Sequence, residues 1–328
     1  MADQRNQVNI PANLVPKVWA KKVWHEGVKD SYFDKFTAMD GSNVVHQNKD
    51  LTNVKGDSVV FGLMMNLTGS GVEGNRQKLS GAEDTLNIYD FTVQTQLVRN
   101  AVSRFEADDQ KSQYDMLKEI KGALKQWLSD WLDNKLISKL SATPTSNDEA
   151  VYASAASTQA SITANDKLTT TIISRAKRKA MMHAPKVQPI RVDGMDKYIM
   201  LVSPWAARDL KDDPKWLAAQ QNANVRGSKN PIFTGALGEY DGVILYEYER
   251  VANMAVGASS ANVCHNLLLG KQAACFAVAR PAKHIEQMDD YGNIAGNGIA
   301  FYGAVENTRF NSKDYGFIHV LTGGAVEH

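Results

Sequence analysis

The sequence predicts an α+β protein. Three observations point there. Residues 58–98 carry two β-branched, apolar stretches separated by a glycine-rich segment, residues 105–140 carry an apolar stripe of period 3.6, and the later half alternates short apolar runs with proline-started helices. The chain has 328 residues, 43% of them hydrophobic and 22% charged. Counting Gly in place of Tyr gives an apolar share of about 47%, inside the globular range, so a sizeable core is available. Length alone, at about 150 residues per domain, suggests two domains. Lys and Arg (37) balance Asp and Glu (36) to a formal net charge of +1. That balance argues against a dedicated nucleic-acid binder and against an acidic disordered chain.

Two cysteines, Cys264 and Cys275, cannot build a disulfide framework, so the chain reads as intracellular while it folds. No secretory signal is expected, because residues 1–5 lead into no apolar segment. The longest apolar run, residues 59–65, is far short of the roughly 18 residues of a membrane span, so no membrane partner is expected.

Residues 1–56 show little periodicity and read as an extended arm with one short helix around residues 16–27. Trp19 and Trp24 on such an arm need something to pack on, either another subunit or their own domain. Residues 58–67 and 85–98 then read as the two strands of a hairpin. Leu86 and Ile88 share one face, Phe91, Val93 and Leu97 the other, with a bulge or bend at Tyr89–Asp90. Between them lies a long, mildly basic loop with Gly69, Gly71, Gly74, Gly81, Arg76 and Lys78.

Leu117, Ile120, Leu124, Trp127, Leu128, Trp131, Leu132, Leu136 and Leu140 form the helical stripe. Residues 105–140 read as one helix, roughly 54 Å long at about 1.5 Å per residue, buried along its length, with Leu124, Trp127 and Trp131 in the core. Residues 141–165 are small and polar and read as a surface excursion. Residues 166–183 are helical, and Arg175, Lys177, Arg178 and Lys179 near their end complement the helix dipole on a solvated face; a phosphate or a partner carboxylate is the weaker reading. Residues 198–202 form a strand, Ser203-Pro204 and Asp213-Pro214 each open a helix, and residues 242–248, 266–269, 275–279, 299–305 and 317–321 are further strands.

Chemical motifs fail on context. Residues 69–74 (Gly-Ser-Gly-Val-Glu-Gly) fit a dinucleotide-binding fingerprint, but a second strand follows where a helix must start to hold the pyrophosphate. Cys264, His265 and Cys275 lack the four tightly spaced ligands of structural zinc and read as buried strand residues. The seven histidines are scattered, and the paired carboxylates Asp108-Asp109 and Asp212-Asp213 sit at helix starts, where capping explains them. No catalytic residue, metal site or cofactor is expected, and the protein is read as a non-enzyme.

The order of elements (arm, glycine-tipped hairpin, long helix, compact α/β region, returning strands) carries a resemblance. So do three segments: residues 51–60 leading into 67–74; residues 79–86 through 99–102; and residues 198–251 with Ser203-Pro204, Leu210, Asp213-Pro214, Trp216, residues 232–235, Gly238 and Gly242-Val243. Together they resemble the major capsid proteins of tailed double-stranded DNA phages, in the podophage branch, with the Hong Kong 97-like fold. The resemblance implies an N-terminal arm (1–56), an extended loop overlapping a neighbour (57–100), a peripheral domain (101–189, with a spine helix at 105–140), an axial domain (190–282) and strands returning to the peripheral domain (283–328). It implies a virion protein, assembled in the host cytoplasm, that joins copies of itself into pentamers and hexamers of an icosahedral shell. That shell encloses double-stranded DNA without sequence-specific binding. A separate scaffolding protein, a portal and a decoration protein are the implied partners. Trp19, Trp24, Gly69, Gly71, Gly74, Arg76 and Lys78 are the expected inter-subunit contacts. Two alternatives stand beside this: a bacterial nanocompartment shell of the same fold, and, more remotely, a nucleotide-binding enzyme using Gly69–Gly74.

Overall fold

The computed structural model describes residues 31–49, 57–65, 67, 69, 71–74, 80, 83–112, 115–144, 146–154, 156–192, 194–222, 237–251, 253–254 and 257–324. Five strands come first: β1 (Thr37–Ala38), β2 (Val45–Asn48), β3 (Ser58–Met64), β4 (Ile88–Gln94) and β5 (Gln96–Phe105). Helices α1 (Glu106–Lys111) and α2 (Met116–Leu140), strand β6 (Ala150–Tyr152) and helix α3 (Thr170–Met182) follow. Next are β7 (Ile190–Val192), β8 (Met195–Val202), α4 (Pro204–Lys211), α5 (Pro214–Asn222), β9 (Gly238–Tyr240), β10 (Val243–Glu247) and β11 (Asn253–Met254). The chain ends through β12 (Asn262–Leu269), β13 (Ala274–Asp289), β14 (Ile294–Asn307), β15 (Arg309–Phe310), β16 (Lys313–Asp314) and β17 (Phe317–Gly324).

The chain divides into two compact units. The smaller holds Arg99–Trp127 and Lys283–Ala300 among the described residues; the larger holds Asp30–Val98, Leu128–Ala282 and Phe301–His328. The larger unit is built on a sheet of order β6-β17-β12-β8-β10-β9, with β11 beside β12 and β7 beside β8. β8 and β10 are parallel, β12 is antiparallel to both β8 and β17, and Leu267 faces Leu201 across the ladder. These strands are near-continuous apolar runs because both faces are covered. Ile173 and Ala176 of α3 and Ala207 and Leu210 of α4 pack with Met200, Leu268 and Ile318 on one face. Leu136, Ile137 and Leu140 of α2 pack with Phe33, Leu201, Leu267 and Phe317 on the other.

The predicted helix starts are present. Ser203 Oγ accepts from the Ala206 N–H at 3.3 Å, ahead of Pro204. The Asp213 carboxylate accepts from the Thr170 N–H (2.8 Å), the Thr170 hydroxyl (2.9 Å) and the Lys215 N–H (3.0 Å), so one side chain ties the start of α3 to the start of α5.

In the smaller unit β14 lies between β13 and β5. Ile120 and Leu124 of α2 are buried, and Lys121 pairs with Glu286 at 2.9 Å. The β13–β14 turn, Asp290–Gly292, leaves Tyr291 fully exposed.

Four expectations are corrected. Residues 105–140 are not one helix: β5 runs through Phe105, α1 ends at Lys111, and α2 starts afresh at Met116. The cause is Asp115, whose carboxylate accepts from the Lys118 N–H at 3.1 Å and caps a new helix. Leu124 is core, but Trp127 and Trp131 are only half-buried. Residues 141–165 are not a plain surface excursion: Ala150 and Val151 of β6, Ala153 and Ile162 are buried, and β6 pairs in parallel with β17. The helix expected from residue 166 begins at Thr170, because Asp166 instead closes a turn on Thr163, accepting from its N–H (2.7 Å) and hydroxyl (2.9 Å). β6 and β17 belong to the same sheet as β8, β10 and β12.

Candidate functional site

The hairpin β3–β4 is a two-stranded antiparallel sheet on its own, with Val59 opposite Val93, Phe61 opposite Phe91 and Met64 opposite Ile88. Alternation along each strand gives it two unlike faces. On one, Val59 and Val93 are buried against Cys275, Ala277 and Ala304, with Phe61 and Phe91 packed beside them. On the other, Val60 (61% exposed), Met64 (64%) and Ile88 (63%) face solvent beside exposed Asp90, Thr92 and Gln94. A two-stranded hairpin is marginal by itself in water, so the anchored face holds it in place.

The phase change falls at Thr95, not at Tyr89–Asp90. The Thr95 N–H and hydroxyl both donate to the Asp57 carbonyl at 2.8 Å, ending the ladder. Beyond it Leu97 is exposed rather than aligned with Phe91 and Val93. At the tip the Gly69 N–H donates to Asp84 Oδ2 at 2.6 Å, where a Cβ would collide with that carboxylate. Gly71 (φ +66°) and Gly74 (φ +86°) hold left-handed backbone that disfavours other residues. The structure thus places Gly69, Gly71 and Gly74 in the hairpin loop. Trp19, Trp24, Arg76 and Lys78 lie outside the described residues. Among the described residues no helix lies between Gly74 and β4.

The other sequence candidates are used internally. Arg175 donates to the carbonyls of Tyr152 and Ser154, Lys179 to those of Asn147 and Ala150, and Lys177 to Asp241. Arg175 and Arg178 are exposed, so the face is solvated as expected, and its cations also make these contacts. Cys264 and Cys275 are buried free thiols; burial pushes the Cys275 thiol up to about 11. Among the described residues no group of three or more His, Cys, Asp or Glu is placed to hold a metal ion, and no helix is long and apolar enough to cross a membrane.

A family model described as phage capsid protein matches residues 12–155 and 142–325. The chain belongs to the phage capsid protein family. It is therefore a structural protein of the virion shell, and the nanocompartment alternative gives way to this assignment. This capsid protein is 26% identical, over 92% of its length and 93% of the relative's, to the major capsid protein of Pseudomonas phage KPP25. Its fold is similar to the capsid of Ralstonia phage GP4 (TM-score 0.83, 25% identity, 99% of each chain covered). It is also similar to the capsid of cyanophage Pam1 (TM-score 0.86, 22% identity, 98% of this chain and 100% of that one). These likenesses fit the Hong Kong 97-like fold.

Sequence inspection missed two polar anchors in this subunit. Asp133, buried on α2, accepts from the Ser31 hydroxyl (2.7 Å) and the Tyr32 N–H (2.8 Å). Glu149, also buried, accepts from the Asp314 and Ser146 N–H groups. Asp133 sits among the apolar positions of the stripe, and that placement was the available signal.

Proposed function

We propose that this chain is the major capsid protein of a tailed phage: it joins copies of itself into pentamers and hexamers of an icosahedral shell around double-stranded DNA. The observation that carries this is the β3–β4 hairpin, anchored on one face and exposing Val60, Met64 and Ile88 on the other. In the shell, residues 57–100 lie over a neighbouring subunit, which covers Val60, Met64 and Ile88. Residues 1–56 act as the arm, with Trp19 and Trp24 as its contacts, and Gly69, Gly71, Gly74, Arg76 and Lys78 meet the neighbour at the loop. Assembly takes place in the host cytoplasm with a separate scaffolding protein and a portal, and a decoration protein binds outside; the protein has no enzymatic role. Expression with its scaffold, followed by sedimentation and electron microscopy, tests this. Closed shells of uniform size are expected. A chain that stays monomeric under every assembly condition overturns it.

A further inference from the structure

Two of the scattered histidines meet in the core. His265 on β12 and His319 on β17 are both fully buried, and His265 Nε2 lies 2.7 Å from His319 Nδ1. His319 Nε2 lies 3.2 Å from Asp314 Oδ2 on β16. Asp314 is buried too; its other oxygen accepts from Asn307 Nδ2 at 3.1 Å and pairs with Arg309 Nε at 3.1 Å. The Asp314 N–H donates to Glu149 Oε1 at 3.0 Å. His319 Nε2 donates to the carboxylate, and one hydrogen bond joins its Nδ1 to His265 Nε2. The line ends on His265 Nδ1, a buried nitrogen with no hydrogen-bond partner among the described residues. The charged groups facing the pair are Asp314 from β16, Arg309 from β15 and Glu149 ahead of β6, while Leu201, Leu267, Phe317 and Leu321 on the same sheet face are apolar.

We propose that His265, His319 and Asp314 form an acid-sensitive latch that holds the β15–β16 turn onto the main sheet of the subunit. Closed, His265 is held neutral by its burial, and its Nδ1 has no hydrogen-bond partner among the described residues to stabilise an added proton. Opened, the histidine is in water and takes a proton at its ordinary affinity. Burial first, and the neighbouring His319 second, lower the His265 pKa from 6.5 to about 3. A lowered histidine value means the closed state binds fewer protons. Its stability is full above about pH 6.5 and is lost as pH falls toward 3. Between pH 7 and pH 5 this one group raises the opening equilibrium about 25-fold. This inference concerns the single subunit and does not depend on how subunits are arranged in a shell.

Hydrogen exchange of the full chain, corrected for the pH dependence of intrinsic exchange, reads the opening directly. The amides of Thr308, Asp314 and Tyr315, which donate to Ala273, Glu149 and Thr308, report the latch. Their opening is expected to rise about 25-fold from pH 7 to pH 5, and amides of the β3–β4 ladder should rise much less. His265→Gln, whose amide can still hydrogen-bond to His319 but does not titrate, should remove most of the rise. An equal rise in His265→Gln overturns the proposal. So does a flat response in the unmodified chain, which decides the matter even where the variant does not fold.

Discussion

Met64→Asp combined with Ile88→Asp tests the bare face of the hairpin most directly. The two residues are cross-strand neighbours, 64% and 63% exposed. Full burial of such side chains is worth about 1.5–3 kcal/mol each, and some three-fifths of that is still unused in the isolated subunit. A neighbour that covers both therefore gains about 2–4 kcal/mol per hairpin before ordering costs. At about 1.4 kcal/mol per factor of ten, the loss raises the critical concentration for assembly by roughly 30-fold or more, and burying two carboxylates adds to it. Subunit stability should stay within about 0.5 kcal/mol per substitution, since both sites face solvent. Sedimentation velocity gives particle yield against concentration, and denaturant unfolding gives subunit stability. Val93→Asp on the covered face is the contrast, because it places a charge in a fully buried position and should unfold the anchor. Normal shells at the parent critical concentration from the doubly substituted chain would refute the reasoning.

Three further outcomes follow from the packing. Leu124→Ala should cost about 2–5 kcal/mol in urea unfolding, whereas half-buried Trp127→Ala should fall below the ~3–5 kcal/mol of a core aromatic; equal costs would mean that the tryptophan is core after all. Asp133→Ala leaves the Ser31 hydroxyl and the Tyr32 N–H without their acceptor and should cost about 1–3 kcal/mol in thermal unfolding, with Asp133→Asn milder because one acceptor oxygen remains. Cys264 and Cys275 should resist a thiol reagent in the native subunit and react at once on unfolding, since both are buried and both thiols are pushed up by desolvation; fast native labelling would contradict their placement.

The readable parts of this chain were those written in local chemistry. Ser203-Pro204 and Asp213-Pro214 announce helix starts whatever surrounds them, and the β-branched runs on either side of the glycines declare a hairpin with Phe91 and Val93 on one face. The fresh start of α2 was hidden because a carboxylate that caps a new helix reads, in sequence, like another polar residue on an old one. The outer half of β13 was hidden for a different reason: Lys283, Ile285, Glu286 and Met288 are all exposed, so no alternation marks the strand. The histidine pair could not be read at all. Its members are 54 positions apart and meet only because β12 and β17 pair along their whole length.

Charge closes the argument about the genome. A shell repeats its subunit's charge many times, and a net charge of +1 per copy gives little mutual repulsion and little grip on DNA. The basic run of α3 was the strongest sequence candidate for a phosphate contact. Yet Arg175 and Lys179 are engaged with backbone carbonyls around β6, and Lys177 with Asp241 beside β10. Cations held this way position strands rather than bind phosphate. Arg175→Gln with Lys179→Gln should therefore loosen β6, seen as faster hydrogen exchange at the Ala153 amide that donates to Leu321. The DNA content of filled particles should not change. Particles that lose DNA while β6 stays protected would return the run to the genome.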